Sequence, residues 1–161
     1  DAAGIRLKVL HAVEEANQEQ KHVLGNKVKK YFGKDLRGKH FALWGLAFKA
    51  NTDDMREASS LTLIADLLAC GATITAYDPV AMDAARAALG SATGVQMADS
   101  QKAALEGADA LIIVTEWKAF RSPDFDHLKA SLKNPLIFDG RNMYDPQWVR
   151  AQGFEYLAIG R

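Results

Sequence analysis

The strongest constraint on this chain is a regular alternation, from about residue 40 onward, of short apolar runs with segments of helical spacing. Phe41-Ala42-Leu43-Trp44, Thr73-Ile74-Thr75-Ala76-Tyr77, Val95-Gln96-Met97, Ala110-Leu111-Ile112-Ile113-Val114, Leu136-Ile137-Phe138 and Phe154-Glu155-Tyr156-Leu157 read as six strands. Between them the spacing predicts helices over 59–70, 82–89, 100–106, 125–132 and 146–152, the first closed by Gly71. A run as apolar as 110–114 must be covered on both faces, which is how parallel strands are buried. Strand, helix and strand joined by short links imply right-handed crossovers, and hence an α/β fold with a doubly wound parallel sheet.

The first thirty residues follow a different pattern. Ile5, Val9, Val13, Ala16, Val23, Leu24, Val28 and Phe32 recur near the helical period, with Glu14, Glu15, Glu19, Lys21 and Lys29 on the other face, predicting one long amphipathic helix. Gly25 inside it costs about 1 kcal/mol relative to alanine, which leaves room for a kink or break there. Gly33 and Gly38 punctuate a basic connector, which divides the chain into a helical segment, 1–33, and a compact domain, 34–161. The chain starts at Asp1 within helical sequence and without an initiator methionine, so we expect a longer parent.

Composition narrows the function. The 161 residues carry twenty Lys plus Arg against twenty Asp plus Glu, a formal net charge of zero that offers no field to a nucleic acid or an anionic membrane. A single cysteine, Cys70, cannot form an internal disulfide, and no Cys/His grouping has zinc spacing, so a metal site is not expected and a reducing cytoplasm is. Cys70 ends an apolar helix beside Gly71 and reads as a buried, inert thiol. The apolar runs fall well short of the roughly 20 residues that span a bilayer. His11, His22, His40 and His127 share no neighbourhood in sequence and read as surface histidines.

In a doubly wound sheet, ligands bind beyond the carboxyl ends of the strands, where loops open a crevice and helix N-termini direct their free N–H groups into it. The first such turn lacks the G-x-G-x-x-G of a dinucleotide site: Gly45 stands alone. A long loop replaces it, bearing Lys49 and Arg56 and followed by Ser59 and Ser60, a set that suits a phosphate or diphosphate. Ordinary structural uses stay open beside these. Arg56 can pair with Asp53 or Asp54, Lys49 can be solvated, Phe48 can be core, and Arg141 can serve Asp139. Asp78 stands where a dinucleotide fold places its ribose acid, yet its position before Pro79 equally fits a turn cap, and Thr115 fits a cap for the helix holding Trp117. Asn17 and Gln20 share one face of the leading helix, and the lysines from 21 to 39 read as a solvated face.

The segment from Gly45 to Ser59, Gly-Leu-Ala-Phe-Lys-Ala-Asn-Thr-Asp-Asp-Met-Arg-Glu-Ala-Ser, closely resembles the signature of the C-terminal domain of nucleotide-sugar dehydrogenases, the UDP-glucose/GDP-mannose dehydrogenase family. The likeness continues through Tyr77-Asp78-Pro79, Thr115-Glu116-Trp117, Phe138-Asp139-Gly140-Arg141 and, on the leading helix, Asn17 and Gln20-Lys21. Its wording is most similar to the bacterial UDP-glucose branch; the UDP-N-acetylmannosamine and GDP-mannose branches are the alternatives, and a non-catalytic nucleotide-binding module is the reading from another class.

The resemblance implies an enzyme of three parts: an NAD-binding domain, a long central helix that forms a homodimer, and a Rossmann-like, UDP-sugar-binding domain corresponding to this chain. By that analogy Phe48 and Lys49 contact the UDP-sugar, Arg141 holds the nucleotide, and Arg56 reaches toward NAD, so that Lys49, Arg56 and Arg141 meet around one anionic pocket. The family oxidises C6 of a hexose twice, passing two hydrides to NAD through a cysteine-bound intermediate. Its nucleophile lies in a Gly-Gly-x-Cys-x-Pro-Lys-Asp segment that this sequence lacks, so the chain alone is expected to be inactive.

Overall fold

Strand β1 (His40–Trp44) lies inside a six-stranded sheet with β2 (Thr73–Tyr77), β3 (Val95–Met97), β4 (Ala110–Ile113), β5 (Leu136–Asp139) and β6 (Glu155–Ala158). The order is β3-β2-β1-β4-β5-β6, and every pairing is parallel. The computed structural model describes residues 8–160. All six strands expected from the sequence form, within a residue or so of their expected limits. β1 pairs with β2 on one side and β4 on the other, Trp44 standing opposite Tyr77 and Ile113. The strand order therefore reverses beside β1, and the right-handed crossovers on either side place their helices on opposite faces. A crevice opens at that reversal, beyond the strands' carboxyl ends.

The connecting helices are α2 (Ser59–Ala69), α3 (Met82–Leu89), α4 (Phe125–Ser131) and α5 (Pro146–Ala151). The helix expected over 100–106 is instead a short 3₁₀ turn, Ala103–Leu105. Ser100 Oγ accepts from the Ala103 amide and Ala104 and Leu105 turn into the core, so the segment caps and buries itself within one turn. Asp124 and Asp145 cap α4 and α5, accepting from the amides of His127 and Trp148.

The leading helix, α1 (Lys8–Phe32), is continuous through Gly25; its expected beginning at Ile5 lies outside the described residues. Instead of kinking the helix, Gly25 lets α1 pass close to α2: a Cβ there would lie 3.2 Å from Asp66 Oδ2 and 3.4 Å from Leu63 Cδ1. Only the second half of α1 packs on the domain. Leu24 and Val28 are buried, each contributing roughly 1.5–3 kcal/mol, and Phe32 meets Phe41 edge-on at 5.5 Å between ring centroids. His22 Nδ1 lies 2.7 Å from Asp66 Oδ2 and Tyr31 donates to Glu155 at 2.6 Å, tying the helix to α2 and β6. Val9, Leu10 and Val13 are exposed.

The lysines from 21 to 39 are not all solvated. Lys21 pairs with Glu57, while Lys39 lies 3.6 Å from the buried Asp109 and 5.3 Å from the Phe32 ring centroid. Cys70 is half-buried rather than buried, because it caps α2, where its carbonyl receives the Leu36 amide.

Candidate functional site

The turn after β1 is held on every side. Gly45 donates to the Tyr77 carbonyl at 2.9 Å. The Leu46 and Ala47 amides both donate to Asp78 Oδ2, at 2.7 and 3.1 Å, while the Leu46 carbonyl accepts from Ser60 Oγ at 2.5 Å and the Ala47 carbonyl from Thr115 Oγ1 at 2.7 Å. Three segments, the end of β2, α2 and the end of β4, thus satisfy five polar groups of three buried residues, as burial requires. Gly45 has φ of 91°, and a Cβ on it would lie 2.5 Å from the Thr115 Cβ; the glycine is needed for close passage of β1 past the end of β4. Thr115 therefore does not cap the turn at Lys118–Phe120, its hydroxyl being committed to Ala47.

Asp78 is the centre of this arrangement. Besides the two amides after β1, its Oδ2 accepts from Trp117 Nε1 at 3.0 Å, and its Oδ1 accepts from the Val80 and Ala81 amides at 2.9 and 2.8 Å. It is the turn cap that its place before Pro79 allows, and it also binds the loops after β1 and β4. With five donors on a carboxylate that is 1% exposed, no acceptor capacity is left for a ribose hydroxyl. Together with the missing glycines, this rules out a self-sufficient dinucleotide site after β1 and β2. Asp139 plays the same part after β5, accepting from the Arg141 and Met143 amides at 2.8 and 2.7 Å and from the Tyr156 hydroxyl at 2.6 Å.

Two adjoining recesses open where these loops face α1. The larger, about 620 Å³, has Asn17, Gln20, Lys21, Phe48, Ser59 and Arg141 among its wall residues. The smaller, about 420 Å³, is lined by Glu116, Arg121, Arg141, Asn142 and neighbours, and shares Gln20, Gly140 and Arg141 with the first. Gly140 makes room at the junction: a Cβ would lie 2.9 Å from the Ile113 carbonyl and 2.9 Å from Leu24 Cδ2.

Phe48 is 52% exposed, which excludes core packing, and it stands on the same wall as Arg141. Lys49 is exposed and Arg56 is 89% exposed in its side chain; neither lines either of these two recesses, so the three cations do not meet there. Arg56 closes a fork on Asp54, with Nε at 2.9 Å and a terminal nitrogen at 2.8 Å, and holds that carboxyl down to about 2. The Arg141 side chain pairs with Glu116, and only its backbone amide serves Asp139. Burial acts to raise the Glu116 pKa, but the Arg141 contact, a backbone hydrogen bond and the charges of Arg141 and Arg121 keep it below the ordinary value. Arg121, the contacts of Glu116 with Arg141 and of Glu57 with Lys21, and the hold of Asp78 on the loops after β1 and β4 are not evident from the sequence, whereas a carboxylate at a strand end before a turn does mark Asp78 as a turn cap.

The comparisons with known proteins fit this geometry. Residues 42–146 match the model of the UDP-glucose/GDP-mannose dehydrogenase family, UDP binding domain. The chain belongs to that family. It is 45% identical over 161 residues to a UDP-glucose 6-dehydrogenase of Pseudomonas aeruginosa, covering 98% of this chain and 36% of that protein. A UDP-glucose 6-dehydrogenase of Rhizobium meliloti is 40% identical over 155 residues, covering 96% of this chain and 35% of its own length. Among solved structures, a UDP-glucose dehydrogenase from the archaeon Pyrobaculum islandicum superposes with a TM-score of 0.78 at 29% identity, over 99% of this chain and 33% of that one. The chain thus spans about a third of the length of these relatives.

Replacing Asp78 with asparagine turns an N–H₂ group toward N–H donors. The expected cost is about 2–3 kcal/mol of stability, with a red-shifted and more quenchable Trp117 emission. Denaturant unfolding followed by tryptophan fluorescence checks both, and wild-type stability in the variant would count against the clamp.

Proposed function

We propose that this chain is the UDP-sugar-binding portion of a UDP-glucose 6-dehydrogenase. The observation that carries this reading is that Phe48 and Arg141, delivered by the loops after β1 and β5, face one cavity of about 620 Å³ at the strands' carboxyl ends. An exposed aromatic ring and a guanidinium across a common wall suit a nucleotide, the ring offering a stacking surface to a base and the cation two parallel donors to phosphate. Lys49, next to Phe48 and outside the recess, supplies a second positive charge to an anion entering from solvent. In the parent enzyme, UDP-glucose would be oxidised to UDP-glucuronate at the expense of two NAD.

NAD would be held chiefly by the companion domain, since the turn after β1 and the saturated Asp78 do not form a dinucleotide site. Arg56, pointing outward from the rim, is the side chain in this portion that would reach toward that cofactor. Without the companion domain and its cysteine, the chain by itself would form no NADH. We assign 1–33 to the central dimerisation helix and 34–161 to the ligand domain of a cytoplasmic enzyme. The exposed Val9, Leu10 and Val13 favour a homodimer through α1.

Calorimetric titration tests the ligand. UDP should bind, GDP more weakly and ADP not measurably, with Arg141→Ala and Lys49→Ala each weakening UDP at least about fivefold. A preference for GDP or ADP would contradict the assignment. For the helix, sedimentation velocity should report a dimer that Val13→Glu dissociates; a monomer at high micromolar concentration would contradict that part.

A further inference from the structure

The larger recess draws attention to Arg141, but the smaller one shows what Arg141 is doing. Its guanidinium lies against Glu116, which follows β4 by a few residues and reaches the same wall. The contacting oxygen, Glu116 Oε2, is buried, yet no donor meets it with hydrogen-bond geometry. The two side chains are 40% and 33% exposed, so what joins them is charge attraction in a partly wet setting, a weak form of ion pair. The backbone beneath Arg141 is fixed by Asp139, which accepts the Arg141 and Met143 amides, and Asn142 sits in the left-handed region at φ of 53°. The loop backbone is therefore fixed, and the guanidinium meets Glu116 through its Nε. Arg121, on the same wall, has no ion-pair partner among the described residues and adds its positive charge to the surroundings of Glu116.

We propose that Glu116 is a built-in competitor for Arg141, so that a nucleotide phosphate engages the guanidinium only by exchanging places with the carboxylate. This rests on Arg141 being the nucleotide anchor. A phosphate offers two oxygens in the plane of the guanidinium and a higher charge than one carboxylate, so the exchange replaces a poorly aligned contact with a bidentate one. The displaced Glu116 turns toward Arg121 and does not stand alone. Uncharged ligands gain nothing from the exchange, so the pair discriminates for anionic nucleotides and against neutral nucleosides. Glu116 is thus a specificity-determining residue that acts through Arg141.

The test is a gain of affinity, which a purely structural role would not produce. Glu116→Gln keeps the shape and removes the charge; it should bind UDP about three- to tenfold more tightly than the wild-type chain and bind uridine equally. In an Arg141→Ala background the same substitution should change UDP affinity by less than about twofold. Thermal unfolding monitors the fold, and Glu116→Ala serves as a second variant with the same expected direction. UDP binding that is unchanged or weakened in both Glu116 variants, while Arg141→Ala binds at least about fivefold more weakly than the wild type, overturns the competitor role and leaves the nucleotide reading standing. Equal or absent UDP binding across the wild type, Glu116→Gln and Arg141→Ala overturns both.

Discussion

The Asp78 carboxylate sets the shape of the site. It sits at the end of β2, out of contact with water, and it stays tolerable there because donors from three segments surround it. An ionised group in that position is costly when any donor is removed, so it penalises every alternative course of the loops that supply them. The turn after β1, the turn into α3 and the indole of Trp117 are consequently fixed relative to one another before any ligand is considered. Asp139 repeats the device after β5 with the Arg141 loop and Tyr156. The two carboxylates place Phe48 and Arg141 at a common crevice.

The same interaction explains how a dinucleotide-type sheet is turned to another ligand. The strand order and the reversal beside β1 are those of a dinucleotide fold. Thr115 crowds Gly45 at the first turn, and the acid that would hold a ribose is fully used within the protein. The open space lies further out, in the recesses between the rim loops and α1. The helix helps to wall them: Leu24 abuts Gly140, Lys21 pairs with Glu57, and Gln20 stands on both recess walls. The wall of the larger recess is thus shared between the rim loops and a helix that precedes the sheet.

The strands were legible because a buried parallel strand leaves a compact apolar signature, as in Ala110 to Ile113, that a helix of this length does not imitate. The loop after β1, with Lys49 and Arg56, points to a phosphate-bearing ligand, in keeping with the UDP binding domain model that residues 42–146 match. The helix at 100–106 misled because two alanines and a leucine satisfy helical spacing over too few residues to separate it from a 3₁₀ turn. Gly25 misled in a different way, since propensity counts the cost of a glycine but not the neighbouring helix it admits. The partners of Arg141 and Arg56 could not be ranked in one dimension. Asp54, two residues away, captures Arg56, whereas Glu116 meets Arg141 only because β4 and β5 are neighbours in the sheet. Local pairs can be read from spacing; pairs made by sheet order need the fold.

Amide hydrogen exchange at Leu46 and Ala47 tests the central claim most directly. Neither amide belongs to a helix or strand, and both donate to the Asp78 carboxylate. The account predicts that they exchange as slowly as the β1 amides, opening only with the whole sheet. Exchange at the rate of the exposed Lys49, Asn51 and Asp53 would show that the carboxylate does not hold the turn, and the placement of the rim would need another cause.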